Sequence, residues 1–432
     1  MLQVGFGSAD ITPPVGADIP GGFFPNPSQG VRDKLLATAC VMHDGKTSLA
    51  LVGVDTLLVS APVVARAREL IAQSTQIPAA HVLVNASHTH SGGPVLWRTE
   101  TMADVPYVFD VAKGIASAVT DAWNSLHGVE IGIGTGHEPN IAFNRRFRMK
   151  DGREITHPGK PGTPHHHEIV APAGPIDPAV GVIAVRPPDG EVCGIVVNFA
   201  CHSTVVGGNQ FSPDYPGYLR KHLKAIYGSD LPVVFLLGAC GDVTQVNNLT
   251  PGSDFGPQHA DMMGCKLAGE VVRTIRRMTW LNTAALAVTS ATITLAYRPD
   301  PDVERERPPF GLGSGERVEE VFAKGRQWLS EERKKSPTLT TEIQALRIGP
   351  LGIVTNGAEF FAAEGLRIKE ASPLSPTWVV SLANDWIGYV PTAHAFYAGG
   401  YEPRTGHASF LAADASQRLV EASLRALARL TA

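Results

Sequence analysis

Two histidines spaced i, i+2 follow an apolar run in Val82-Leu-Val-Asn-Ala-Ser-His-Thr-His-Ser-Gly-Gly-Pro94. In extended backbone, residues two apart point to the same side, so His88 and His90 can both face one cavity from the end of a strand. Neutral imidazole is the commonest metal ligand, and a buried pair must satisfy its ring nitrogens in some way. The pair is therefore a metal or catalytic element, or else a structural pair hydrogen-bonded in a loop. A second histidine exit recurs at His202, which closes the apolar run 191–202. A third run, 231–237, opens into Gly238-Ala-Cys-Gly-Asp-Val-Thr-Gln245, whose glycines let the backbone approach a ligand closely. Two histidines from separate strands plus a carboxylate make a catalytic zinc set with a position left for water. Spacing alone does not choose the carboxylate.

Elements must bring these exits together. The pattern predicts an α/β fold of mixed central sheets flanked by helices, with the site at strand ends, because ligands in open α/β sheets lie beyond the carboxyl ends of strands. Apolar runs at 35–42 and 48–58 flank His43-Asp-Gly45, a hairpin signal. Helical periodicity covers 61–73, 105–126, 258–277 and 413–430, and alternation at 283–296 predicts an antiparallel strand. Further core runs lie at 346–354 and 378–382. The turn-rich residues 1–30 are expected to lay one extended piece against the core. The polar stretch 140–178, with His165, His166 and His167, reads as a solvated loop. Residues 298–337, including an amphipathic helix at 316–335, read as a charged surface excursion. Asp55, at the end of the second run, serves either a ligand-bearing residue or the cap of the following helix, with the cap the first expectation. No internal repeat is evident. Candidate site residues run from 88 to 401, so 1–432 is expected to form one interleaved catalytic domain.

Composition excludes several classes of partner. The 432 residues carry a formal net charge of -4, with 44% hydrophobic and 18% charged residues and no basic stripe, which argues against nucleic acid. The first basic residue is Arg32, so no secretory start is read, and no apolar run reaches the length of a membrane span. Five cysteines without a C-x-x-C pair read as reduced thiols in a cytoplasmic protein. The expected partner is a small-molecule substrate, with neither nucleic acid nor membrane, and nothing in the sequence decides against a homo-oligomer.

Five ordered motifs narrow the chemistry. Ser87-His-Thr-His-Ser-Gly92, Asn198-Phe-Ala-Cys-His-Ser-Thr204, Gly241-Asp-Val-Thr244, Ala358-Glu-Phe360, and Tyr389-Val-Pro-Thr392 with Tyr401-Glu402 resemble the motif series of the neutral ceramidase family of zinc amidases. The resemblance is to the N-terminal catalytic domain. It implies Zn2+ held by His88, His202, Glu359 and Tyr389, and a substrate-binding or oxyanion role for His90, Arg145 and Tyr401. Zinc can lower the pKa of a coordinated oxygen acid, so a phenolate ligand is chemically reasonable. Thr244 and Gln245 stand where the family has Ser and Pro, and Ala358 where it has Gly. Thr244 either contacts substrate or closes the Gly238–Gly241 turn. The family's larger members carry a C-terminal β-sandwich and a membrane-associating segment, whereas this chain ends with a helix soon after the last motif.

The expected reaction is hydrolysis of a linear or cyclic C–N amide by zinc-activated water. His90 is the expected acid/base toward the leaving amine and Tyr401 the donor to the oxyanion. The expected substrate is a short soluble amide, with Arg145 gripping a carboxylate bidentately, because no broad apolar surface is legible. The alternatives are a zinc esterase or lactonase, an N-acyl lipid or ceramide amidase, a cysteine hydrolase with Cys240 as thiolate and His202 as base, and a non-catalytic zinc-stabilised binding protein.

Overall fold

A computed structural model of the chain describes residues 1–95 and 105–431. Three larger sheets share one plan. In the first, Gln3–Asp10, Leu36–His43 and Ser48–Val54 pair antiparallel in that order, and Ser48–Val54 then pairs parallel with Val82–Ala86. In the second, Glu130–His137, Ala179–Arg186 and Gly194–Phe199 are antiparallel, and Gly194–Phe199 is parallel to Val233–Leu237. In the third, Leu286–Ala296, Thr338–Ile348 and Leu351–Thr355 are antiparallel, and Leu351–Thr355 is parallel to Thr377–Val380. A parallel pair cannot be joined by a tight turn and needs a crossover. The helices Ala61–Ser74, Tyr215–Tyr227 and Ala362–Ala371 provide one in each sheet.

The α/β expectation holds, and side-chain alternation explains the layering. Leu49 and Leu51 enter a core shared with Val196 and Val234 of the second sheet and Ile353 and Trp378 of the third. Ala50, Val52 and Val54 point the other way, into a core with Val64, Ala67 and Ile71 of the first crossover helix. Helices at Val105–Asn124 and Pro257–Ile275 contribute Val111 and Ile115, and Met263 and Leu267, to the same core. A third core lies where the closing helix Ala415–Arg429 brings Leu419 and Leu427 against Ala345 and Val354 of the third sheet. Among the described residues, no helix is long and apolar enough to cross a membrane.

Four expectations need correction. Residues 140–178 contain a small sheet, Arg146–Met149 between Glu154–Thr156 and Ile169–Pro172, which buries Phe147, Met149 and Ile155. The triple histidine is not wholly solvated, because only His167 is exposed while His165 and His166 are partly buried, with His165 stacked on Phe310. Residues 298–337 are not a solvated excursion throughout, because the helix Glu316–Lys335 buries Phe322, Gly325 and Leu329. Asp55 caps no helix and touches no site histidine. It receives two hydrogen bonds from Arg220, at 3.0 and 2.6 Å, and one from the Leu36 N–H, an ion pair buried between the first sheet and the second crossover helix.

The carboxyl ends of the three parallel pairs meet at Asn85. Its side chain accepts from the Leu237 N–H of the second sheet and donates to the Ser381 carbonyl beyond the third, while the residue itself sits in the first and is fully buried. Asn85→Leu would leave both backbone groups unpaired, at about 1–3 kcal/mol each. The expected result is a clear drop in the urea midpoint. An unchanged midpoint would mean that the three ends hold together without this residue.

Candidate metal centre

The strand ends deliver five donor side chains to one point. Thr89 bridges Ser203 in parallel, and the His90 N–H donates to the Ser203 carbonyl at 3.0 Å, which sets the His88 segment beside His202. The short strands Glu359–Phe360 and Tyr389–Val390 pair in parallel with Glu359 opposite Tyr389, so those two side chains arrive together. His88 has a φ of 61°, in the left-handed region, which costs a non-glycine residue about 1–3 kcal/mol and is tolerated where function needs the orientation.

The hydrogen bonds fix which atoms face inward. His88 Nδ1 lies 2.7 Å from the Leu57 carbonyl and His202 Nδ1 2.7 Å from the Cys240 carbonyl. A carbonyl only accepts, so Nδ1 carries the proton in each ring and a neutral ring turns its Nε2 lone pair toward the other donors. Burial, with Arg145 and His88 nearby, pushes the His202 pKa down to about 3, which keeps that imidazole neutral. Glu359 Oε2 then lies 3.3 Å from His88 Nε2 and 3.4 Å from His202 Nε2, and Tyr389 Oη lies 3.4 Å from His202 Nε2. Glu359 Oε2 is buried and accepts no hydrogen bond among the described residues. Lone pairs facing one another at this range repel unless a cation lies between them. A tetrahedral site with bonds of about 2.0–2.1 Å has edges of about 3.3–3.4 Å, so the donor set fits a zinc-sized ion.

His90 is the fifth donor. Its Nε2 is 3.4 Å from His88 Nε2, and the ligand atoms of His88, His90 and His202 all lie within 4.8 Å of one another. Unlike the other two, His90 has no backbone carbonyl on Nδ1 among the described residues, and it is half-buried on the wall of a cleft. Burial and the neighbouring His88 and His202 rings hold its pKa well below the ordinary histidine value. Gly21 packs against it, with a φ of +106° and room for no side chain: a Cβ there would stand 2.5 Å from His90 Nδ1.

Arg145 does not face the cleft as a substrate grip. Its guanidinium is buried and donates to Glu402 Oε1 at 2.7 Å, to the Gly241 carbonyl at 2.7 Å and to Tyr389 Oη at 3.0 Å. With those bonds made, the fork cannot also hold a substrate carboxylate, and what it does is place Tyr389. Thr244 is buried in a two-residue pairing with Phe143–Asn144, and its Oγ1 accepts from the Val246 N–H two residues on. Glu359 is not needed as a cap for Ala362–Ala371, because Asp242 Oδ1 accepts the Ala362 N–H. Tyr401 lines the cleft edge-on to Tyr389, with ring centroids 5.7 Å apart. Burial pushes its phenol pKa up, so it enters the cleft as a neutral O–H donor.

The cleft itself is mostly apolar. Phe23, Leu57, Leu58, Val321, Phe322 and Trp386 wall it, with His88, His90, Glu359, Tyr389 and Tyr401 at its polar end. Phe23, Phe322 and Tyr401 form an aromatic corner with centroids 6.0–6.4 Å apart. Val321 and Phe322 come from the charged helix, and Trp386 donates its indole N–H to Glu359 Oε1 at 3.3 Å. None of these wall residues was anticipated. The one available signal was the apolar spacing of Phe322, Gly325 and Leu329, which marks a buried helix face.

Comparison with known proteins bears on the fold. No family model matches the chain. The neutral ceramidase of Pseudomonas aeruginosa is 24% identical over 471 residues, covering 93% of this chain and 68% of that protein. The fold superposes on a ceramidase complexed with C2 with a TM-score of 0.78 at 19% identity, covering 100% of this chain and 75% of that one. It matches the crystal structure of the Pseudomonas aeruginosa enzyme with a TM-score of 0.76 at 20% identity, covering 99% and 74% of the two chains. The chain is ceramidase-like.

A cysteine mechanism does not fit this site in the ceramidase-like chain. His202 turns its protonated Nδ1 to the Cys240 carbonyl while its basic Nε2 faces Glu359 and Tyr389, and burial pushes the Cys240 thiol well above its ordinary pKa. A thiol so placed is inert. Cys240→Ala is expected to retain turnover within about threefold of the parent, whereas a nucleophile would lose it by orders of magnitude.

Proposed function

We propose that this chain is a zinc-dependent amidase that hydrolyses the amide bond of an N-acyl lipid such as ceramide. The observation that carries the reading is the gathering of the His88, His202 and Tyr389 donor atoms around a buried Glu359 Oε2 at one end of an apolar cleft. His88, His202, Glu359 and Tyr389 would hold the metal. When bound, zinc supplies the Lewis acidity that polarises an amide carbonyl and activates water near neutral pH. Arg145 orients Tyr389 through its hydrogen bond to the phenol oxygen. Tyr401 donates to the oxygen of the developing tetrahedral centre. His90 carries a proton between the attacking water and the leaving amine, from a half-exposed position with its Nε2 beside the cluster.

The apolar walls and the ceramidase likeness favour an N-acyl lipid over the short polar amide expected from sequence, and the occupied guanidinium of Arg145 removes the reason to expect an anionic substrate. The test is amine release from ceramide in mixed micelles and from a short amide and a matched ester. Chelation should abolish amide hydrolysis and Zn2+ restore it. Full activity in metal-free protein would end the proposal, and exclusive cleavage of the ester would replace the amidase by an esterase.

A further inference from the structure

The cleft over the donor cluster has a second apolar compartment behind one of its walls. Leu58 and Trp386 line the cleft, and the same two side chains line a groove outside it, together with Pro62 and Val63 of the helix Ala61–Ser74 and Val108 and Phe109 of the helix Val105–Asn124. The two spaces thus share Leu58 and Trp386 as a common wall. Phe109 keeps 51% of its surface exposed although it faces apolar neighbours. The charges at the groove are engaged elsewhere. Arg66 pairs with Glu69, while Asp385 accepts from the Ala61 N–H and from Thr341 Oγ1.

Resting on the amidase reading above, we infer that this groove is the binding track for the substrate's acyl chain, entered from the amide past Leu58 and Trp386. The assignment of the acyl side follows from the lining. The rest of the cleft carries His90, Tyr401 and His407 beside Phe23, Val321 and Phe322, a lining that suits an amphipathic amine part of the substrate. The groove offers Leu58, Pro62, Val63, Val108 and Phe109 as apolar contacts for a hydrocarbon chain, with Ser60, Arg66 and Asp385 as its polar lining. Trp386 sits at the junction, and its indole N–H, donated to Glu359 Oε1, fixes the side of the ring that the chain must pass.

The test uses N-acyl amides of one amine with acetyl, hexanoyl, decanoyl and tetradecanoyl groups, on the parent and on Phe109→Glu and Phe109→Leu. Phe109 is exposed and does not line the cleft over the donor set, so the fold should survive both changes. In the parent, kcat/KM should climb with acyl length by up to about fourfold per buried methylene, the ratio that the burial free energy of one CH2 corresponds to. Phe109→Glu should lower kcat/KM for the decanoyl and tetradecanoyl substrates by about tenfold or more relative to the acetyl substrate, while Phe109→Leu keeps the parental slope. Equal slopes in the parent and Phe109→Glu would overturn the track. Binding of free decanoic and tetradecanoic acids, followed by tryptophan fluorescence, decides the groove separately. If no amide is cleaved by any variant the amidase reading fails, and the track still stands or falls on whether Phe109→Glu weakens fatty-acid binding by about tenfold.

Discussion

Glu359→Ala is expected to lose bound metal and amide hydrolysis together. Glu359 Oε2 stands within 3.3 and 3.4 Å of two Nε2 atoms whose rings are locked as Nδ1–H tautomers, and it has no donor of its own among the described residues. Removing the carboxylate takes away the one formally charged donor of the set. Loss of an outer partner of a metal ligand costs roughly 10–100-fold, so loss of the ligand itself should exceed about 100-fold in both metal affinity and kcat/KM. Metal per chain by plasma emission and amine release measured on the same preparation check the pairing. A variant that keeps a full equivalent of metal and loses activity would make Glu359 a general base instead of a ligand.

His90→Ala should separate those two quantities. It is expected to keep its metal and to lose turnover by about 10²–10⁴-fold, the range that removal of a positioned proton-transfer group covers. The structural reason is the contrast within the histidine trio: His88 and His202 each have Nδ1 held by a carbonyl, the support that metal-ligating histidines typically have, and His90 has none among the described residues. His90 also stands on the cleft wall, where a leaving amine can reach it. Loss of metal in His90→Ala, with retention in His88→Ala, would mean that the two roles are exchanged.

The histidines were legible because each follows an apolar strand and the i, i+2 spacing has a direct geometric meaning. The α/β class followed from the same alternation of strands and helices. Glu359 and Tyr389 carry no comparable local signal. They become neighbours through a two-residue parallel pairing, and only the family resemblance pointed to them. Arg145 was misread because its partner Glu402 lies 257 residues away, and an arginine in a polar loop looks free until that contact is known. Asp55 failed for the same reason, since Arg220 is 165 residues downstream. The cleft wall was missed because composition reports how much apolar surface a chain has and not where a charged helix turns its few apolar residues. Val321 and Phe322 sit in a helix read as solvated, yet both face the cleft.

Anomalous X-ray scattering across the zinc edge, on crystals grown from protein that has not been chelated, tests the central claim most directly. The account predicts one strong peak per chain, within about 2.0–2.2 Å of His88 Nε2, His202 Nε2, Glu359 Oε2 and Tyr389 Oη, with His90 outside bonding range. A zinc-replete crystal with no peak at this cluster, or with a peak bonded to neither Glu359 nor Tyr389, would contradict it.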